Sequence, residues 1–466
     1  MASLSIADLI RGTQGALVGG RLDMTVTGVS IDSRTCAAGE AFFAIRGPRQ
    51  DGHAFVTDAL TRGAGAAVVS RFPVEATVPA DRPLLLVEDT TAALQRLAAF
   101  HRRKWPIPVV AVTGSNGKTT TKELCAAVLA ERFRVLKAGG SFNNQWGVPL
   151  TLLGLEPAHQ AAVLELGMNA FGEIAALAQL ARPQVGVVTM IAPAHLEGVG
   201  SIEGVQKAKG ELVQAIPADG TVVLNADDPL VLGLAREARG RVLTYGQAPA
   251  ADVRIADVTP GDGGLAFALV TNGQRVTVRL PLSGRHNAWN AAAAAAVGVA
   301  LGVPLAAAVD GLARATPVKG RLVWREAGGV RILDDTYNAN PVSLRAALDA
   351  LRDDAPGGRR WVVFGDMLEL GPASEGAHAE AGRWIARLPV TGLAAAGAAA
   401  RITVAEAAAA GCGDVAACRT PEEAAAHVAA RVWPGDRVLV KGSRGMRMER
   451  AVEALLARLG GGPARC

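Results

Sequence analysis

Aromatic side chains make up only 4% of the 466 residues, and no run of Lys or Arg accompanies them. Single-stranded nucleic acid is held on aromatic platforms set in a basic groove, so a nucleic-acid partner is not expected. The net charge of +5 is spread along the chain, with acids and bases interspersed. That describes a solvated surface, although a mildly basic cleft would also suit small anionic substrates. The five cysteines, at positions 36, 125, 412, 418 and 466, are odd in number, scattered and without metal-type pairing. They exclude a disulfide scaffold and predict a reduced, cytoplasmic protein. Long apolar runs are also missing. The opening MASLSIADLIRG carries an acid at Asp8 and reads as an amphipathic helix, not a signal peptide. The alanine tract 291–296 is too short and too weakly apolar to cross a bilayer, so no membrane insertion is expected. There is no internal repeat, and no low-complexity tail beyond GGGPAR.

The most informative stretch is PVVAVTGSNGKTTTKE, residues 108–123. Val109, Val110 and Val112 predict a buried strand, and TTTKELCAAVLAERF predicts an amphipathic helix. Between them Gly114, Ser115, Asn116 and Gly117 form a turn whose backbone N–H groups face an anion at the helix's positive end. Lys118 is placed to neutralise phosphates, and the hydroxyls of Thr119 and Thr120 follow, Thr119 being suited to magnesium. The spacing is shorter than in the general nucleotide loop, with Val112 where that pattern has its first glycine, which makes this a sub-type.

Length predicts about three domains. Residues 1–105 read as short strands and helices, a mixed α/β unit, and KWPIP, with two prolines, reads as a linker. Across 106–316 apolar strand runs (VVAVT, AAVLELG, VGVVTM, TVVLNADD) alternate with helical segments, which predicts a doubly wound α/β sheet with ligands at the carboxyl ends of its strands. Between about Arg241 and Leu282 the pattern turns to short alternating strands with glycine turns, read as a small antiparallel flap on this domain. The stretch 317–466 predicts a third, Rossmann-like α/β unit with RILDDTY, RWVVFGDM and DRVLVKGS among its strands.

Polar groups at strand ends are the next candidates. Glu165 ends AAVLELG and His195 follows VGVVTMIAPA; each is also compatible with a plain strand terminus. Lys207 and Lys209 fall on one helix, where solvated lysines are the simple reading, and NADDP at 225–229 reads as a turn. Asn287 and Asn290, three apart at a helix start, suit a base edge, although Asn287 equally suits a helix cap. Arg321 stands at the entrance to the third unit, in reach of a phosphate across a cleft, and DDTYNANPVS (334–343) is a dense polar cluster between strand and helix.

Taken in order, TGSNGKTT, SFNNQWGVP, LELGM, AHLEGVGSIEGVQKAKGEL, NADDP, GRHNAWNA and KGR resemble the ATP-dependent Mur ligases of peptidoglycan synthesis, over nearly the whole chain. YNANP, GDMLELG and KGSRGMRME are similar to the member that adds D-alanyl-D-alanine to UDP-N-acetylmuramoyl-tripeptide, and the arginine-bearing motif of the amino-acid-adding relative is absent. The resemblance implies a uridine-nucleotide-binding domain at 1–105, an ATP-binding domain at 106–316 and a ligase domain at 317–466. It implies that Lys118, Lys209, His195 and Arg321 are catalytic, with the loop 114–120 on the ATP phosphates and Arg321 on the γ-phosphate. Two magnesium ions are implied, held by Thr119, Glu165, His195 and Lys209, with Lys209 carried as a carbamate. Asn287 and Asn290 would lie at adenine, Asp335 and Asn338 near the ribose. DSR and DGHAF resemble uridine-binding strings, and Ser33 and Arg34 are the implied substrate contacts. A monomer is expected. Two other readings are a related ligase such as folylpolyglutamate synthase and an ATP-driven switch that only senses nucleotide; dependence of hydrolysis on a carboxylate and an amine together separates them.

Overall fold

The computed structural model describes residues 3–72, 82–193, 196–261, 263–354 and 357–460. Among these, no helix is long and apolar enough to cross a membrane. The opening helix Ile6–Thr13 is present, with the Ser5 hydroxyl accepting from the Asp8 N–H, as its sequence predicts. It packs with helix Thr90–Arg102 beside a five-stranded sheet whose Val29–Ser30, Ala41–Phe43, Ala66–Val69 and Leu84–Leu86 strands are parallel. The linker that follows is tied down. Buried Arg102 donates to the carbonyls of Ala181 (2.9 Å) and Ile107 (3.1 Å), and also to that of Trp105.

The central sheet has nine strands. Val109–Thr113 lies between Ala161–Glu165 and Val185–Val188, all parallel, and Thr221–Asn225 and Arg241–Gly246 continue the parallel array. These strands are near-continuous Val, Ala and Leu because helices cover both faces. From Val109–Thr113 the chain runs first to one side of the sheet and then returns to the other. That reversal opens a crevice at the carboxyl ends, where Gly114, Glu165, Thr189 and Asn225 arrive together.

The antiparallel strands occur on this domain as expected, and they continue its sheet. Val253–Gly261 pairs in parallel with Arg241–Gly246, and Gly264–Thr271 and Gln274–Leu280 extend the same sheet antiparallel. Arg241–Gly246 itself belongs to the parallel array: its VLTYG run packs into the core, with Leu243 and Tyr245 buried, so its apparent alternation misleads. The alanine tract is likewise core. Residues 291–296 lie in helix Asn287–Ala300, and all are fully buried where it crosses helix Lys118–Leu129. Side chains no larger than a methyl let the two helices approach closely.

The third sheet has six strands, parallel except for a hairpin of Val323–Ala327 with Val330–Asp335. Gly328 and Gly329, at φ +56° and +72°, make its two-residue turn. Helix Pro341–Asp353 begins with Asn340 and Ser343 in a reciprocal cap and faces the central crevice.

The packing of the alanine helix is directly testable. Ala294→Leu forces extra carbons into a filled interface and is expected to cost about 1–3 kcal/mol, read as an earlier thermal unfolding transition. An unshifted transition would mean the two helices have slack.

Candidate active site

The loop after Val109–Thr113 is built on two glycines that have no substitute. Gly114 has φ +147° and Gly117 φ +82°. A Cβ at Gly114 would lie 1.8 Å from Thr189 Oγ1, and one at Gly117 would lie 2.6 Å from Asn290 Oδ1. The loop is also bonded to its neighbours: Ser115 N–H donates to Met190 O (2.8 Å), Ser115 Oγ to Ala192 O (2.8 Å), and Thr189 Oγ1 to Asn116 O (2.6 Å). Helix Lys118–Leu129 then starts with no side-chain cap, so its first N–H groups remain open to an anion at the positive end of the dipole. Lys118 Nζ folds back onto Gly114 O at 2.9 Å. Burial lowers its pKa; Glu165 opposes that and Arg321 adds to it.

Glu165, 1% exposed at the end of its strand, is the hub. Thr119 Oγ1 donates to its Oε2 at 2.7 Å, and Asn143 Nδ2 donates to its Oε1 at 2.7 Å. Arg321 comes from the far side of the crevice, donating from Nη2 to Thr119 Oγ1 (2.8 Å) and stacking on Tyr337, 4.1 Å from the ring centre. Among the described residues its buried Nε has no partner. Lys209 on helix Ile202–Ala215 is 2% exposed, and among the described residues no hydrogen bond or ion pair engages its ammonium. Its pKa falls well below the usual lysine value, first through burial and then through the charge of Lys118. Lys207, two residues earlier, is exposed, with its ammonium 5.7 Å from the centre of the Phe171 ring. The different fates of the two lysines follow from the helix face each occupies. His195 lies outside the described residues, and among those described no cluster of three His, Cys, Asp or Glu suits a metal.

Lys118, Thr119, Asn143, Glu165 and Arg321 open on a cavity of about 710 Å³ between the central and third sheets, and Lys209 is not among its lining residues. The walls include Thr120, Asn287, Asn290, Asp335 and Asn338, so those predicted residues come together with the loop. The two asparagines bond to each other, Asn290 Nδ2 donating to Asn287 Oδ1 (2.8 Å), while Asn290 Oδ1 accepts from Thr121 (3.1 Å). Asn287 is the first residue of its helix and not the cap; its amide reaches back to Ser283 O at 2.6 Å. Asp335 is paired at 2.5 Å with buried Lys441, which also donates to Asn338 O at 2.9 Å. Across the mouth, Asn340 Nδ2 donates to Asn116 Oδ1 at 2.8 Å and Asn116 Nδ2 returns the bond at 3.3 Å.

Ser33 and Arg34 do not join this cavity. They sit in the first unit, where Ser33 is 6% exposed and Arg34 clasps Asp32 in a bidentate pair at 2.9 and 2.7 Å. In the neighbouring DGHAF string, His53 Nε2 accepts from the Ser70 N–H at 2.9 Å, which leaves its Nδ1 to donate to Asp51 at 2.6 Å. Among the cavity residues, Asn143, Asn340 and Lys441 went unassigned from sequence. Asn143 stands in the doublet of SFNNQWGVP, whose only signal is polarity after a glycine turn; its tie to Glu165 spans 22 positions.

Three family models cover most of the chain: Mur ligase family, catalytic domain (25–102), Mur ligase middle domain (112–298), and Mur ligase, glutamate ligase domain (320–444). The chain is 39% identical over 458 residues to UDP-N-acetylmuramoyl-tripeptide--D-alanyl-D-alanine ligase of Escherichia coli K12, covering 98% of this chain and 99% of that one. It superposes on the crystal structure of MurF from Acinetobacter baumannii with a TM-score of 0.89 at 33% identity, covering 98% and 99% of the two chains. With MurF ligase from Thermotoga maritima in complex with ADP the TM-score is 0.78 at 32% identity, over 93% and 97%. The fold and its three large sheets are thus those of a known architecture, and the chain belongs to the Mur ligase family.

Proposed function

We propose that this chain is an ATP-dependent amide ligase that joins D-alanyl-D-alanine to UDP-N-acetylmuramoyl-tripeptide, releasing ADP and phosphate, in peptidoglycan precursor synthesis. The observation that carries it is the gathering of Lys118 and Arg321 around one buried carboxylate, Glu165, with buried Lys209 near enough to feel the charge of Lys118, in a chain alignable end to end with a ligase of that name. The enclosed positive charge suits a polyphosphate. A switch that only sensed nucleotide would have no use for a third cation placed from a separate sheet.

The reaction must bring two anions together, the carboxylate of the stem peptide and the γ-phosphate of ATP. Lys118 and Arg321 offset their repulsion, and attack gives an acyl phosphate and ADP. The amine of D-alanyl-D-alanine then adds to the activated carbonyl, and the tetrahedral species collapses to the amide and phosphate. Walls from two sheets limit water, which would hydrolyse the acyl phosphate.

The donor set fits magnesium: a hydroxyl on Thr119 and a carboxylate on Glu165 are already 2.7 Å apart. Lys209 fits a carbamate, because burial and the charge of Lys118 favour the neutral amine, the form that adds CO2 with loss of one proton. Thr119, Glu165, carbamylated Lys209 and His195 would hold two ions, whose charge, when bound, would neutralise the phosphate oxygens. Ser33 and Arg34 would meet the uridine nucleotide in the first unit.

Phosphate release by purified protein with ATP and magnesium is expected only when UDP-N-acetylmuramoyl-tripeptide and D-alanyl-D-alanine are both present, with a product heavier by the dipeptide. Release without either would return the site to a nucleotide sensor. Lys209→Ala is expected to lower kcat at least about 100-fold, with no recovery on adding bicarbonate. The CO2-depleted native enzyme should regain turnover with bicarbonate. Arg321→Lys keeps the charge but loses the fork and the stack on Tyr337, and is expected to cost about 10- to 1,000-fold in kcat. Native turnover in that variant would remove Arg321 from the phosphate.

A further inference from the structure

Lys122 is a fully buried charged side chain with no assigned task. It is 0% exposed, one helical turn beyond Lys118 on the same helix. Its ammonium donates to Ala138 O at 2.7 Å and Gly140 O at 2.8 Å and lies 2.8 Å from Glu123 Oε1. A buried ammonium is costly even when paired, and a well-packed apolar side chain would serve a purely structural helix-to-loop contact as well. One of the carbonyls it binds belongs to buried Ala138, beside the central sheet, and the other to Gly140, in a turn with little packing of its own. A Cβ at Gly139 or Gly140 would meet nothing within 4 Å, Gly140 sits at φ +48°, and Phe142 is 51% exposed. Hydrogen bonds therefore place this turn.

Its far end carries Asn143. The Gly167 N–H donates to Asn143 O at 2.8 Å, and a Cβ at Gly167 would crowd the Asn143 amide at 3.0 Å. That amide donates to Glu165 Oε1, while Thr119 donates to Oε2. We infer that Lys122 is a positioning residue for the metal-binding carboxylate: it fixes the turn 138–143 so that Asn143 holds Glu165 in the rotamer that faces Thr119. The inference rests on the ligase reading above for the assignment of magnesium to Glu165. One helix thus supplies Lys118 and Thr119 directly and, through Lys122, sets the second group that bonds the same carboxylate.

The test is Lys122→Met, which keeps the stem and removes the donors. Two quantities are read: the magnesium concentration that half-saturates turnover, and the magnesium dependence of binding of a fluorescent ADP analogue, which needs no turnover. Both magnesium requirements are expected to rise about 10- to 100-fold, with analogue binding in EDTA unchanged. Lys122→Met/Asn143→Ala should be no worse than Asn143→Ala alone, because the two act in series. A lower melting temperature with an unchanged magnesium requirement would make Lys122 merely structural and overturn the inference. If Lys122→Met does not fold, Asn143→Ala at its part-buried position decides: an unaltered magnesium requirement there breaks the link. A native protein that binds the analogue with magnesium but makes no amide would count against the ligase reading, while the binding arm still judges Lys122.

Discussion

A carboxylate taken out of water must be held by donors or neutralised, and Glu165 is held. Two hydrogen bonds, from Thr119 and Asn143, satisfy its oxygens, and the cations of Lys118 and Arg321 stand close by. The dependence runs both ways. Without Glu165 those cations, with Lys209 beside them, would face one another in a low-dielectric crevice. The sheet topology is what makes the gathering affordable: it delivers a strand end, a loop and a helix start to one point, each carrying one of the groups. Alanine and glycine elsewhere, in the helix Asn287–Ala300 and at Gly114 and Gly117, serve the same end by letting backbones approach.

Closure of the cavity belongs to the third unit. Arg321, Asp335, Asn338 and Asn340 reach the crevice from its near edge, and Arg285 on the central side meets Asp353 at 2.5 Å, at the end of helix Pro341–Asp353. The first unit is joined more firmly, since buried Arg102 bonds three carbonyls at the start of the central sheet and around it. The two connections differ in kind: one is a guanidinium locked among backbone carbonyls, the other a set of side-chain contacts across the cavity mouth.

What could be read in the sequence is what depends on local order. The strand, glycine turn and helix at 108–129 declare themselves, because each uses residues whose conformational preferences have few other uses. Lys209 does not. Charge alone makes it a solvated lysine, and only family resemblance set it apart; its 2% exposure comes from the helix face it shares with Val205 and Leu212. Asn143 and Lys122 were silent because their partners lie 22 and 16 positions away and the bonds exist only once strands have paired. From sequence, Arg241–Gly246 reads as the start of the antiparallel strands, but it pairs in parallel with both of its neighbours, a relation that local alternation does not encode.

The reciprocal amides of Asn116 and Asn340 close the mouth of the cavity without charge. Each such bond contributes on the order of 1 kcal/mol net of water, so thermal motion breaks the pair readily and remakes it. Ionic strength leaves it almost untouched, whereas the Arg285–Asp353 pair at the same junction, with the arginine side chain 47% exposed, is weakened by salt. The junction therefore divides its grip between a latch that responds to the ionic medium and one that ignores it, and raising salt would loosen the outer hinge while leaving the inner seal intact.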